Sequence, residues 1–142
     1  MYCSYEDLAA RVAPETLLAL CDEDGDGVAD AAVVAAAIAD ADAEINAWLA
    51  PRYAAPFETA PEAVRWISTA LALERLYARR RETPGGDFAQ LVEEARELLG
   101  HLAAGEADLR MADGTAAPGR ARSDSTTRGS NRLFDPDGVN RY

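Results

Sequence analysis

Residues 30–49 read DAAVVAAAIADADAEINAWL, and this stretch decides the fold. Val34, Ile38, Ala41, Ile45, Trp48 and Leu49 recur at alternating steps of four and three, closing with adjacent residues. That spacing is one face of a 3.6-residue helix. Asp40, Asp42 and Glu44 fall mostly off the stripe, as expected for side chains left to solvent. Asp30 stands where an N-cap belongs, and Pro51 ends the segment because the residue before a proline is driven out of the helical region. Alanine, the best helix former, fills the remaining positions and makes a thin helix that can pack closely.

Working outward, the same period returns twice. Val64, Ile67, Leu71, Leu73, Leu76 and Tyr77 predict a helix from Pro61 to about Arg81. Phe88, Leu91, Val92, Ala95, Leu98, Leu99 and Leu102 predict another over 88–104, after the break Thr83-Pro84-Gly85-Gly86. Asp87 reads as its cap and Gly105 as its left-handed stop. Between the first two helices, Arg52, Tyr53 and Phe57 look like anchors of a proline-containing connection. On the N-terminal side, Ser4 and Asp7 form a capping-box pattern opening a short helix to about Val12. Pro14 suits the first position of a second short helix, 14–21. The expected fold is therefore all-α: a small bundle of two short N-terminal helices and three longer ones.

A helical domain over 1–110 is expected to hold the core. Residues 111–142 have the composition of an extended tail arm, flexible in isolation, because 112–132 offer almost nothing to bury against the entropy of ordering. Apolar character returns in Leu133, Phe134, Val139 and Tyr142. Arg132, Leu133, Phe134 and Tyr142 thus read as a docking peptide at the end of a spacer. A spacer of about twenty residues reaches on the order of 60 Å when extended.

Charge is distributed unevenly along the chain. The formal net charge is −11, and residues 1–50 hold eleven acids against one Arg. Residues 111–142 hold four acids against five Arg. Every basic side chain but His101 is Arg. An acidic body argues against non-specific phosphate binding, which depends on cations displacing counterions. Cys3 and Cys21 fit no metal or redox spacing and read as buried free thiols. No basic start precedes an apolar run, so no signal peptide is expected, and no apolar run approaches the ~20 residues of a membrane span.

Three motifs bear on chemistry. Asp22-x-Asp24-x-Asp26-Gly27-x-x-Asp30 matches the opening of a calcium loop, with the Val28 carbonyl at position seven, but Val33 occupies the position of the bidentate Glu. It reads either as a weak calcium site or as an acidic turn whose carboxylates bond to loop amides. Arg79-Arg80-Arg81 closes a helix, where cations favour the dipole; the alternative is a contact to an acidic partner or nucleic acid. His101 has no partner at ligand spacing. No phosphate loop, nucleophile elbow or zinc pattern is present, so no catalytic residue, and no cofactor beyond possible calcium, is expected.

The order of these features resembles a Mu-like phage and prophage protein family of formerly unassigned function, of the head–tail connector (adaptor) type. The resemblance rests on four segments. They are the opening Met1-Tyr2-Cys3-Ser4-Tyr5-Glu6-Asp7-Leu8, and the acidic loop before a long helix carrying Ala39-Asp40-Ala41 and Glu44-Ile45. Leu49-Ala50-Pro51-Arg52-Tyr53 and Leu76-Tyr77-Ala78-Arg79-Arg80 complete the set. Arg132-Leu133-Phe134-Asp135-Pro136-Asp137 stands where the family closes on an Arg-x-Phe-Ser-Arg-Asp-like peptide, and Ala50-Pro51 replaces a Gly-containing turn. The resemblance implies a non-enzymatic structural subunit in the virion neck, assembled in the bacterial cytoplasm. Implied partners are its own copies in a ring of about twelve, the portal protein, and a tail or tail-completion protein. DNA would pass through the lumen without sequence-specific binding, and no membrane is involved. A calcium-binding EF-hand-like interaction or regulatory module is the competing expectation, and an assembly factor absent from the finished particle a third.

Overall fold

The computed structural model describes residues 1–120. Five helices follow one another: α1 (Tyr5–Ala9), α2 (Pro14–Cys21), α3 (Ala31–Leu49), α4 (Glu62–Arg80) and α5 (Gly86–Ala104). The fold is a small all-α bundle with no strand among the described residues, as the three periodic stretches predict. α3 packs most extensively on α4, which also carries α5, while α1 and α2 close the other side. α4 returns along α3, so that its last turn meets the loop before α3.

The stripes become the core. Ile38, Ala41, Ile45 and Leu49 of α3 are fully buried against Val64, Ile67, Leu71 and Leu76 of α4. α5 contributes Val92, Ala95, Leu99 and Leu102. Each aliphatic side chain taken from water stabilises the fold by roughly 1.5–3 kcal/mol, offset by backbone ordering. Cys3 and Cys21 are free and buried, and burial raises both thiols above the ordinary range.

The termini of the elements follow the expected chemistry with three differences. Ser4 and Asp7 form the full capping box, and Pro14 occupies the first turn of α2. Asp30 is the N-cap residue of α3, yet its side chain does not cap; it accepts from the Glu23 N–H at 2.7 Å. α5 starts earlier than expected, with Gly85 at the N-cap and Asp87 in the first turn, where its charge favours the dipole without capping. Trp48 is 51 % exposed despite its place on the α3 stripe. It stands one residue from the end of the helix, where burial on the stripe needs a neighbour that extends as far.

Composition places the end of the body at 110, but the chain stays on it to Arg120. Arg110 and Ala116 form a bridge, as do Tyr53 and Gly119, and Ala117 is buried. The Ala54 N–H donates to the Pro118 carbonyl and the Arg120 N–H to that of Arg52. The anchors of the connection explain this. Arg52 donates to the carbonyls of Leu102 and Ala107 and pairs with Asp108, and the Tyr53 hydroxyl accepts from the Leu109 N–H. Arg132, Leu133, Phe134 and Tyr142 lie outside the described residues.

Candidate functional site

Four large apolar side chains are exposed among the described residues: Met1, Tyr5, Val28 and Trp48. The first three line a single open groove of about 840 Å³. Buried Val34 and Ile38 of α3 also line it, as does the exposed Ala35. A clustered apolar surface of this kind marks an interaction site more often than a scattered exposed leucine does.

The groove exists because residues 1–7 are tied across the bundle. Asp42 makes the tie. It lies inside the bundle, where its Oδ2 accepts the Tyr2 N–H at 2.9 Å and its Oδ1 accepts the Ser68 hydroxyl at 2.7 Å. The Tyr2 hydroxyl donates to Asn46 and accepts the Phe57 N–H at 3.0 Å, and the ring packs on Phe57. Burial, ahead of other causes, raises that phenol above its ordinary pKa. A buried carboxylate needs partners, and Asp42 has the hydrogen bonds from Tyr2 and Ser68 and the Met1 ammonium at 3.7 Å. The capping box then turns the chain into α1 beside the groove. At its rim stand Asp7 and Arg65, and Arg65 is exposed with no ion pair among the described residues.

Sequence reading misses this surface. Asp42 looks like a solvent residue because charge alone hides that its position, one helical turn after Ile38, points inward. Tyr2 and Tyr5 lie outside any helical period, and Val28 sits within the acidic loop. Three unexplained large apolar residues near the start of an acidic segment are the signal that could have found the groove.

The acidic loop is organised by its own amides. Asp22 accepts from the N–H groups of Gly25 and Gly27 at 2.7 and 2.9 Å, and Asp26 accepts that of Val28 at 2.8 Å. The N–H of Gly27, foremost, holds the Asp22 carboxyl below its usual range. Gly25 and Gly27 adopt positive φ, which lets the backbone curl around that carboxylate. Asp22, Asp24 and Asp30 bring one oxygen each within 4.8 Å of one another. Calcium takes roughly six to eight oxygens, and Val33, at the twelfth position, is buried with the core. The residues present do not fit an EF-hand site. The Val28 side chain, which no calcium loop uses, is exposed in the groove.

Arg79, Arg80 and Arg81 separate in space. Arg79 pairs with Glu23, and Arg80 donates to the Asp22 carbonyl. Arg81 takes the left-handed cap of α4 and is exposed. Two of the three cations thus face the chain's own acidic loop. A second ionic group staples the three long helices: Glu44 of α3 pairs with Arg75 of α4 and with Arg96 of α5, while Arg96 makes a two-pronged contact to Glu74 at 2.7 and 2.8 Å. His101 is exposed beside Glu106.

No helix among the described residues is long and apolar enough to cross a membrane. A search of curated proteins finds no match. The model of the family described as bacteriophage Mu, Gp36 matches residues 2–127, which spans every helix, the acidic loop and all of the groove but Met1. The chain therefore belongs to the bacteriophage Mu Gp36 family.

Proposed function

We propose that this phage protein is a structural subunit of the virion neck, forming a homo-oligomeric ring that joins the portal of the DNA-filled head to the tail. The observation that carries the proposal is the apolar groove on a small helical body, in a chain whose family is that of a phage protein. A ring subunit needs surfaces for its neighbours, and this groove gathers three of the four exposed large apolar side chains of the described residues. The body serves no catalytic role in this reading. Its acidic first third suits a lumen that repels the DNA backbone and lets it slide. The portal lies above, a tail or tail-completion protein below.

Mass spectrometry of purified virions tests the proposal against that of an assembly factor. A subunit of the neck is present at a fixed number of copies per particle. Absence from infectious particles would overturn it.

A further inference from the structure

We propose that the groove beside residues 1–7 is the seat for the Arg132-Leu133-Phe134-Asp135 segment of a neighbouring copy. This deepens the neck-ring proposal and rests on it.

The occupant follows from complementarity. The groove is apolar along Tyr5, Val28, Val34 and Ala35, and carries at its rim Asp7 and Arg65, which has no ion pair among the described residues. The segment offers the reverse: two large apolar side chains between a cation and an anion. Leu133 and Phe134 would cover the apolar wall, Arg132 would meet Asp7, and Asp135 would meet Arg65. The wider charges agree. Residues 121–142 hold four Arg and three Asp, while the first fifty residues carry a net charge of −10.

The direction follows from placement. Arg120 is bonded to Arg52, just past the C-terminal end of α3. The groove borders the first half of the same helix, from Ala31 to Ile38. The arm therefore leaves beyond the C-terminal end of α3, and its seat lies along the N-terminal half of that helix, which is about 28 Å long. A plug and a socket at different places on one surface make a head-to-tail contact, the kind that closes into rings. The twelve residues from 121 to 132 span at most about 40 Å, against a radius of gyration of about 14 Å for a body of this size. That reach covers the arm's own groove as well as a neighbour's, and the proposed ring is what selects the neighbour. Repeated around a ring, individually weak contacts reinforce each other.

The test uses the full chain with a benzophenone amino acid in place of Phe134, mixing isotopically heavy and light protein before irradiation. The expected products join position 134 of one chain to residues 1–11 or 28–38 of another, seen as heavy–light pairs. Ala35→Arg, at an exposed position, is expected to lower their yield about tenfold while leaving the circular dichroism unchanged. Cross-links confined to single chains, cross-links elsewhere, or an Ala35→Arg yield equal to that of the native groove would overturn the proposal. Native mass spectrometry of the same sample separates the two claims. Closed rings without groove cross-links would remove the seat and leave the neck-ring reading standing. Groove-linked chains that never close would support the seat and count against the ring.

Discussion

Asp42 and Ile45 lie on the same helix three residues apart, and both are buried. Ile45 is the simpler case. Ile45→Asp puts an unpaired charge into the apolar stripe, and the cost of several kcal/mol is comparable to the whole stability of a domain this size. The expected outcome is loss of the cooperative melt; a Tm equal to that of the native chain would show that the stripe is not the core. Asp42→Ala should be milder and more local. It strands the Tyr2 N–H and leaves the Ser68 hydroxyl only the Cys3 sulfur at 3.3 Å, at about 1–3 kcal/mol, which lowers Tm by about 4–12 °C. Amide exchange should accelerate at residues 2–4 while α5 stays protected; uniform acceleration would contradict Asp42 as the local tie. Ile45 was legible because apolar side chains announce their period. Asp42 was not, because a carboxylate reports burial only through partners 26 and 40 residues away. Trp48 shows the opposite limit: it keeps the period, but the helix ends before anything covers it.

At the scale of elements, three long helices were legible from their stripes and the short ones from Ser4 and Pro14. What escaped were contacts between distant loops, such as Arg79 and Arg80 with the acidic loop, and Arg52 with the end of α5. Both hold backbone that no local period describes. The acidic loop carries two expectations. Val33→Glu completes the calcium motif on paper, but the position is 92 % shielded by the core. The substitution should therefore lower Tm and add no calcium affinity by calorimetry. A gain to micromolar binding would contradict the packing of α3. The second concerns pH. Asp22 has a folded pKa below the ordinary carboxylate value, so its contribution is fully present above the unfolded pKa and is lost as pH falls through the lower folded one. The Gly27 amide proton should keep its hydrogen-bonded shift until pH drops below the usual Asp range, then move. A midpoint at the ordinary Asp value or above would contradict the Asp22–Gly27 bond.

The whole molecule combines a body legible from composition with a surface that was not. Helix ends at Ala104, before the change of character after Met111, and the backbone up to Arg120 remains bonded to the connection after α3, because Ala117 and the peptide groups of 110–120 supply contacts that composition does not register. The groove is likewise a product of assembly in space, from residues 1–7, the end of the acidic loop and α3 together. Its neighbours in a particle are what the account turns on. Electron microscopy of the purified protein incubated with its portal measures this most directly. The expected result is a closed ring of copies on the portal, coaxial with its channel. Unattached single bodies when the protein is in large excess over the portal would contradict the account.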